Sequence, residues 1–472
     1  MNYIIFFPDE LRAETLSVYG NNIIKTPNYD RLASQGVVFN QCHVQNPVCS
    51  PSRCSLVTGQ YVHSAGHRNL WNLVKPYEHN LFRYMKEAGY EVRSYGKNDL
   101  FSKNAASLST DVFDTEGYGF SGKGQPVPVK AFGEKGYYDF LCKPLPGNYT
   151  DHVDYHAVRK GIDFIKERKQ GDKPFVLFLP LVFPHCPYTA HEPYYSMYDD
   201  IPPLRPYGEN KAQFQSLARQ YRNLEGYDLS KVQAVYMGMT SFIDTLLGEL
   251  MDAVEDGGIK NETMLITASD HGDYAGDYGL VEKWPAGFDD VLTRVPLVIS
   301  APGCKAGCRI NAQVELFDIM ATIMEDAGIK ARHTHYARSL LPQFGGEEGD
   351  MSRAVFCEGG YNRNEPHCNP GTNANTQGLR RPEAPYYPKM IQQGEDPETV
   401  GRGTMIRTLT HKLVLRSYGD HELYDLNTDP QELHNVYGRN EYADIQSELE
   451  RRMLDWYIAT SDSVPAEEDS RW

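Results

Sequence analysis

The chain has 472 residues, of which 40% are hydrophobic and 23% charged, and it carries a formal net charge of −16. That length accommodates one large domain plus a smaller one. The acidic balance disfavours a general binder of nucleic acid or anionic membranes, which needs a basic surface, so an anionic ligand would require a local basic pocket.

Residues 3–7 form a short apolar run closed by Pro8, the pattern of a buried parallel strand. The run has no basic leader and no small-residue cleavage site, so it reads as core and not as a signal peptide. Nine cysteines, without close pairing apart from Cys304 and Cys308, fit reduced thiols. These features predict a cytoplasmic protein, or a periplasmic or secreted one if the chain is a trimmed form. No apolar stretch approaches the length of a membrane span.

Helices are predicted over 27–34, 81–88, 153–169, 229–255 and 314–327, and strands over 37–39, 91–95, 174–181, 264–268 and 295–300. Strands alternating with helices predict a mostly parallel sheet covered on both faces, with ligands bound beyond the carboxyl ends of the strands. After about residue 345 the texture changes. Residues 359–393, rich in Pro, Asn, Gly and Arg, read as a long ordered loop with a functional role. Strands at 403–409, 412–417 and 422–426 and a helix over 442–457 predict a small antiparallel sheet with a terminal helix. The expected organisation is an α/β domain over 1–345 and a smaller α+β domain over 346–472.

The most informative stretch is Pro47-Val48-Cys49-Ser50-Pro51-Ser52-Arg53-Cys54-Ser55-Leu56-Val57-Thr58-Gly59. Pro51 suits the first turn of a helix and Ser50 a cap. Cys49 would then face the positive end of the helix dipole, and Arg53, one turn on, would pair with an oxyanion. Three other segments also follow strands. Asp9-Glu10 comes after the first, Lys97 follows Tyr95-Gly96, and Asp270-His271-Gly272 comes after 264–268. Carboxylates with one imidazole suit a hard divalent cation, Ca²⁺ or Mg²⁺.

The string C-x-P-S-R followed by Leu-x-Thr-Gly resembles the maturation signal of the formylglycine-dependent (type I) sulfatases of the alkaline phosphatase superfamily. The resemblance implies that Cys49 is oxidised to formylglycine by a maturation enzyme and that the aldehyde hydrate is the nucleophile. It implies Ca²⁺ (or Mg²⁺) ligands at Asp9, Glu10, Asp270 and His271, with Glu10 standing where the family usually has Asp. Tyr95-Gly96-Lys97, Pro184-His185-Cys186-Pro187 and Glu282-Lys283-Trp284 match the family's basic motifs. Arg53, Lys97 and Lys283 would hold the sulfate, and His185 or Lys283 would protonate the leaving alcohol. The family's Lys-x-His is here Lys97-Asn98-Asp99, with Asn98 as a possible replacement donor. The segment Glu422-Leu423-Tyr424-Asp425-Leu426, continuing through Asp429-Pro430 to Glu432 and Asn435, resembles the family's C-terminal signature, which carries no chemistry of its own.

The expected function is hydrolysis of sulfate monoesters of a small saccharide of glycosaminoglycan type. Two alternatives stand beside it: a phosphonate monoester or phosphodiester hydrolase on the same site, and a non-catalytic binder of sulfated ligands if Cys49 stays unmodified. Arg363, His367, Arg380 and Arg381 are expected to contact the sugar from the 359–393 loop, with His67 at the rim.

Overall fold

The computed structural model describes residues 1–118, 126–169 and 171–464. Among these, nine strands form the large sheet: β1 (Asn2–Phe7), β2 (Val37–His43), β3 (Glu91–Tyr95), β4 (Val112–Asp114), β5 (Phe175–Pro180), β6 (Thr263–Ala268), β7 (Arg294–Val295), β8 (Leu297–Ser300) and β9 (Cys308–Glu315). Their spatial order is β4-β3-β5-β1-β6-β8-β2-β7, with β9 along β2. β1 runs parallel to β5 and β6, and β3 parallel to β4 and β5. β8 is antiparallel to both β6 and β2, so β2 points the same way as β1. The chain therefore leaves β1, β2, β3, β5 and β6 along one edge of the sheet.

Alternation explains why β1 sits at the centre. Tyr3, Ile5 and Phe7 enter the core on one face, and Ile4 and Phe6 the core on the other, all fully buried. β5 divides likewise, Val176 and Phe178 against Leu177 and Leu179. A strand covered on both faces needs a continuous apolar run, and truncating Phe6 or Phe7 to Ala should cost about 3–5 kcal/mol. The long helix Ser230–Asp256 closes the second face with Val235, Phe242, Leu246 and Leu250.

A second, four-stranded antiparallel sheet runs β10 (Val355–Gly359), β11 (Gly403–Arg407), β12 (His411–Arg416), β13 (Glu422–Asp425). The helix Ala443–Thr460 covers one side, where Trp456 stacks on Phe356 with ring centroids 4.4 Å apart. Residues of the other side, Cys357, Met405 and Val414, join the first core of the large sheet. The small sheet is thus welded to the large one by shared apolar packing.

Two predicted elements differ. The helix expected over 314–327 begins only at Asp318, because Val314 and Glu315 finish β9 opposite Cys42 and His43. The expected loop 359–393 contains a 3₁₀ segment, Ala374–Arg380, and leads into a helix, Tyr387–Glu395. Pro388 fits that helix's first turn, where no intrahelical N–H is required. Among the described residues no helix is long and apolar enough to cross a membrane.

Candidate active site

Cys49 opens the helix Cys49–Thr58, every residue of which is buried. The cap is Val48 and not Ser50. Val48 donates its own N–H to Asn46 Oδ1 (2.9 Å) and accepts from the Ser52 N–H (3.1 Å). Pro51 is the third helical residue, still within the turn that needs no donor. The helix ends at Gly59, whose φ of 66° lies in the left-handed region. Cys49 therefore stands on the first turn, at the positive end of the dipole.

Around it gather side chains from the ends of β1, β3 and β6. Cys49 Sγ lies 3.2 Å from His271 Nε2, 3.6 Å from Asp9 Oδ1 and 4.0 Å from Lys97 Nζ. Arg53, one turn along, bridges the two carboxylates, with Nη2 on Asp9 Oδ2 (2.6 Å) and Nε on Asp270 Oδ2 (2.7 Å). All three side chains are fully buried. Arg53 Nη1 is buried and unpartnered. Lys97 reaches Asp9 Oδ2 at 2.8 Å and Asp99 at 2.9 Å. Its approach depends on Gly96, where a Cβ would fall 2.1 Å from the Pro180 carbonyl oxygen. Asn98 is turned away, its carboxamide occupied by the backbone of Leu100 and Phe101, and does not replace the family's histidine.

Burial alone would raise the Asp9 carboxyl, but Lys97 and then Arg53 outweigh it and hold the group well below its usual range. Burial, with Asp9 adding to it, pushes the Cys49 thiol well above its ordinary value. As a plain cysteine, residue 49 would be a neutral thiol and a poor nucleophile.

With the Oδ2 atoms held by Arg53, Asp9 Oδ1 and Asp270 Oδ1 each lie 4.0 Å from His271 Nε2. Ligand atoms about 2.3–2.6 Å from one cation sit at roughly such separations, so these three side chains fit a divalent ion beside residue 49. One ligand atom from each of Asp9, Cys49, Asp270 and His271 can be chosen with all of them within 4.8 Å of one another. His271 Nδ1 pairs with the Gly272 carbonyl (2.8 Å), leaving Nε2 toward the group.

The structure does not bring Glu10 to these donors. Its backbone is left-handed (φ 64°), and its carboxylate turns to Lys283 Nζ (2.8 Å) and to His185 Nδ1 (3.4 Å). Lys283 Nζ in turn lies 2.8 Å from His185 Nε2. Burial, then Lys283 and Lys97, pulls His185 well below the ordinary imidazole value. The ring is neutral, with Nδ1 donating to the Cys186 carbonyl and Nε2 accepting from Lys283. Two polar sets thus lie close enough to act on one another's charges: a carboxylate and imidazole set beside Cys49, and a Lys283–His185 pair with Glu10, whose carboxyl burial pushes well above its usual range although Lys283 opposes the shift.

The sulfatase family profile matches residues 1–329. The chain belongs to the sulfatase family. A second profile, N-sulphoglucosamine sulphohydrolase, C-terminal, matches residues 380–458 of this sulfatase. The chain is similar to the uncharacterized sulfatase YidJ of Escherichia coli K12, 26% identical over 475 residues that cover 96% of this chain and 86% of that one. It is also similar to iduronate 2-sulfatase of Homo sapiens, 24% identical over 532 residues covering 94% and 92%. In fold it is similar to the phosphonate monoester hydrolase of Agrobacterium radiobacter, with a TM-score of 0.76 at 22% identity over 97% of this chain and 96% of that one. As a sulfatase, the protein is a sulfuric ester hydrolase.

The remaining residues singled out in the sequence do not join this sulfatase site. His67 is buried against the Asn72 carbonyl (2.5 Å) and Glu78 (3.3 Å). Arg363 pairs with Glu398 and lies over the Tyr418 ring. Arg380 bonds carbonyls of Pro370 and Asn373, Arg381 that of Gly378, and the His367 carbonyl accepts from Asn373. Arg380 and Arg381 serve their own loop, and Arg363 ties it to Glu398 and Tyr418. The same segment does reach the neighbours of His185 and Lys283 further on, through Tyr386 Oη, 3.4 Å from Cys186 Sγ, and through Lys389, bonded to Glu282 and the Lys283 carbonyl. Sequence reasoning missed both, as it missed Tyr236, which donates to the Glu10 carbonyl (2.6 Å), and Ser52, which donates to the Asp270 carbonyl (2.6 Å). Ser52 was legible in principle, lying inside the Cys49 string; the others carry no motif.

Proposed function

We propose that this sulfatase cleaves sulfate monoesters of a saccharide of glycosaminoglycan type, using a formylglycine made from Cys49 by a maturation enzyme and Ca²⁺ (or Mg²⁺) held by Asp9, Asp270 and His271. The observation that carries the reading is the seat of Cys49. It is a buried, neutral thiol on a helix's first turn, 3.2 Å from an imidazole and 3.6 Å from a carboxylate that is itself held anionic. Such a thiol has little use as a thiolate nucleophile, and the groups around it suit an oxygen nucleophile attacking the sulfur of an anionic ester. Formylglycine supplies that nucleophile as an aldehyde hydrate, and the cation supplies positive charge beside it.

The chain's own residues do the rest. Arg53 locks the Asp9 and Asp270 carboxylates in one orientation. Lys97, opposite Asp9 and 4.0 Å from Cys49 Sγ, places a second cation where sulfate oxygens gather charge in the transition state. On the far side the Lys283 ammonium, hydrogen-bonded to neutral His185, stands ready to donate a proton to the leaving alcohol oxygen. Two names support the saccharide class: the similar human protein is an iduronate 2-sulfatase, and the C-terminal profile is that of an N-sulphoglucosamine sulphohydrolase.

The phosphonate hydrolase likeness favours a second reading, a phosphonate monoester or phosphodiester hydrolase. Relative kcat/KM on 4-nitrophenyl sulfate and 4-nitrophenyl phenylphosphonate separates the two. The first reading expects sulfate to lead by at least about tenfold, a difference near 1.4 kcal/mol in the barrier. A preference for the phosphonate would overturn it.

A further inference from the structure

We propose that Lys389, brought in by the C-terminal part of the chain, is a positioning residue for the proton-donating pair Lys283–His185. The inference rests on the sulfate-ester reading of the site, in which that pair protonates the leaving group. Lys389 lies buried on the helix Tyr387–Glu395. Its ammonium donates to both carboxylate oxygens of Glu282 (2.6 and 2.7 Å) and to the main-chain carbonyl of Lys283 (2.9 Å). An ammonium has three protons, and these three acceptors match them. Lys389 has no donor left for substrate and acts through its neighbours.

What it holds needs holding. Glu282 is a non-glycine residue at φ 62°, a conformation that persists only where the surroundings over-determine it. Its N–H is bound by Tyr188 Oη (2.9 Å) and Asp273 Oδ1 (3.1 Å), and Arg222 lies 3.6 Å from its carboxylate. Lys389 adds the side-chain anchor and extends it to the next peptide. The backbone of Lys283 is thereby fixed beneath a flexible four-carbon stem whose Nζ must meet His185 Nε2 and Glu10 Oε1, both at 2.8 Å. The other member of the pair is seated from the same segment, because Tyr386 Oη touches Cys186, the residue after His185. One short stretch of a distant part of the chain thus braces both halves of the proton donor.

A brace on the proton donor has a signature that a general support lacks. Loss of proton donation harms esters of weakly acidic alcohols and spares those whose leaving group departs unaided. The test uses full-length protein matured at Cys49 and a series of aryl sulfates from 4-nitrophenyl to unsubstituted phenyl. Lys389→Met is expected to lower kcat on phenyl sulfate by about 30-fold or more, in the range that misplacing a catalytic group costs. On 4-nitrophenyl sulfate it should lower kcat by less than about threefold, with KM little changed on both. Lys389→Arg should recover part of the loss. Adding Lys283→Met to Lys389→Met should steepen the leaving-group dependence no further than Lys283→Met alone, since the two act as one unit. If Lys389→Met fails to fold, Glu282→Gln, which keeps the shape and loses the charge pairing, carries the same comparison. Equal losses along the series, or an effect confined to KM, would overturn the role of Lys389 while leaving the sulfatase reading intact. Matured wild type that turns over none of the series would overturn the site reading and this inference with it.

Discussion

On the Cys49 side of the site each functional group leaves a strand end or the first two turns of a helix. On the Lys283 side the groups sit on loops and are braced by a segment more than 100 residues downstream (Lys389 bonds Glu282 across 107 positions). The first side stands on core: Asp9 follows a strand buried on both faces, and Arg53 belongs to a helix with no exposed residue. The second is assembled from Glu10, His185, Lys283 and Lys389 by hydrogen bonds between polar side chains, with Glu10 and Glu282 both in left-handed backbone conformations. In the proposed mechanism, anion binding and nucleophile placement would then be tied to folding, whereas proton delivery would depend on tertiary contacts and could be altered separately.

The sharpest way to break that contrast is Arg53→Gln. It takes the guanidinium from the buried Asp270 carboxylate and leaves Asp9 with Lys97 as its cationic partner, so stability should fall by about 3–5 kcal/mol and activity should disappear. Chemical denaturation and turnover measured on the same preparation check both. A stable but inactive variant would show that the Cys49 side is not part of the folding unit.

Removal of the divalent ion comes next. If Asp9, Asp270 and His271 are ligands, exhaustive chelation should stop turnover and lower stability, by roughly 2.7 kcal/mol if the ion is normally present at 100 times its dissociation constant, which is read as a lower unfolding midpoint. Readdition of Ca²⁺ or Mg²⁺ should restore both. Unchanged activity and midpoint after chelation would remove the metal from the account.

Much of this was legible in the sequence, and most of the misses share a cause. Strands such as residues 91–95 and the string around Cys49 announce themselves locally, since period, proline and glycine act over a few residues. The motif lysines and His185 were placed by resemblance; Lys97 lies beside Cys49, and Lys283 beside His185. Apart from Ser50, whose deciding neighbours are local, the readings that went astray turned on contacts between remote segments. Val314 and Glu315 look helical until β2 pairs with them. Ser50 looks like a cap until Asn46 and Val48 settle the turn. Glu10 reads as a ligand beside Asp9 until Lys283 and His185 compete for it. The arginines of the 359–393 segment looked functional by composition alone, while Tyr386 and Lys389, the residues that meet the neighbours of His185 and Lys283, had no local signal.

The smallest expected effect follows from that correction. Arg363 is exposed and pairs with Glu398 at the surface, so Arg363→Ala should shift stability by less than about 1 kcal/mol and kcat/KM on a sulfated saccharide by less than about twofold. A tenfold loss confined to the saccharide, with aryl sulfate turnover unchanged, would return this loop to the substrate.

The central claim is that Cys49 becomes the nucleophile by modification. Peptide mass analysis of residue 49, in active protein co-expressed with a formylglycine-generating enzyme, tests it most directly. The account predicts conversion of the thiol to the aldehyde in proportion to specific activity, and none of either in Cys49→Ala. Fully active protein with an unmodified thiol at residue 49 would contradict it.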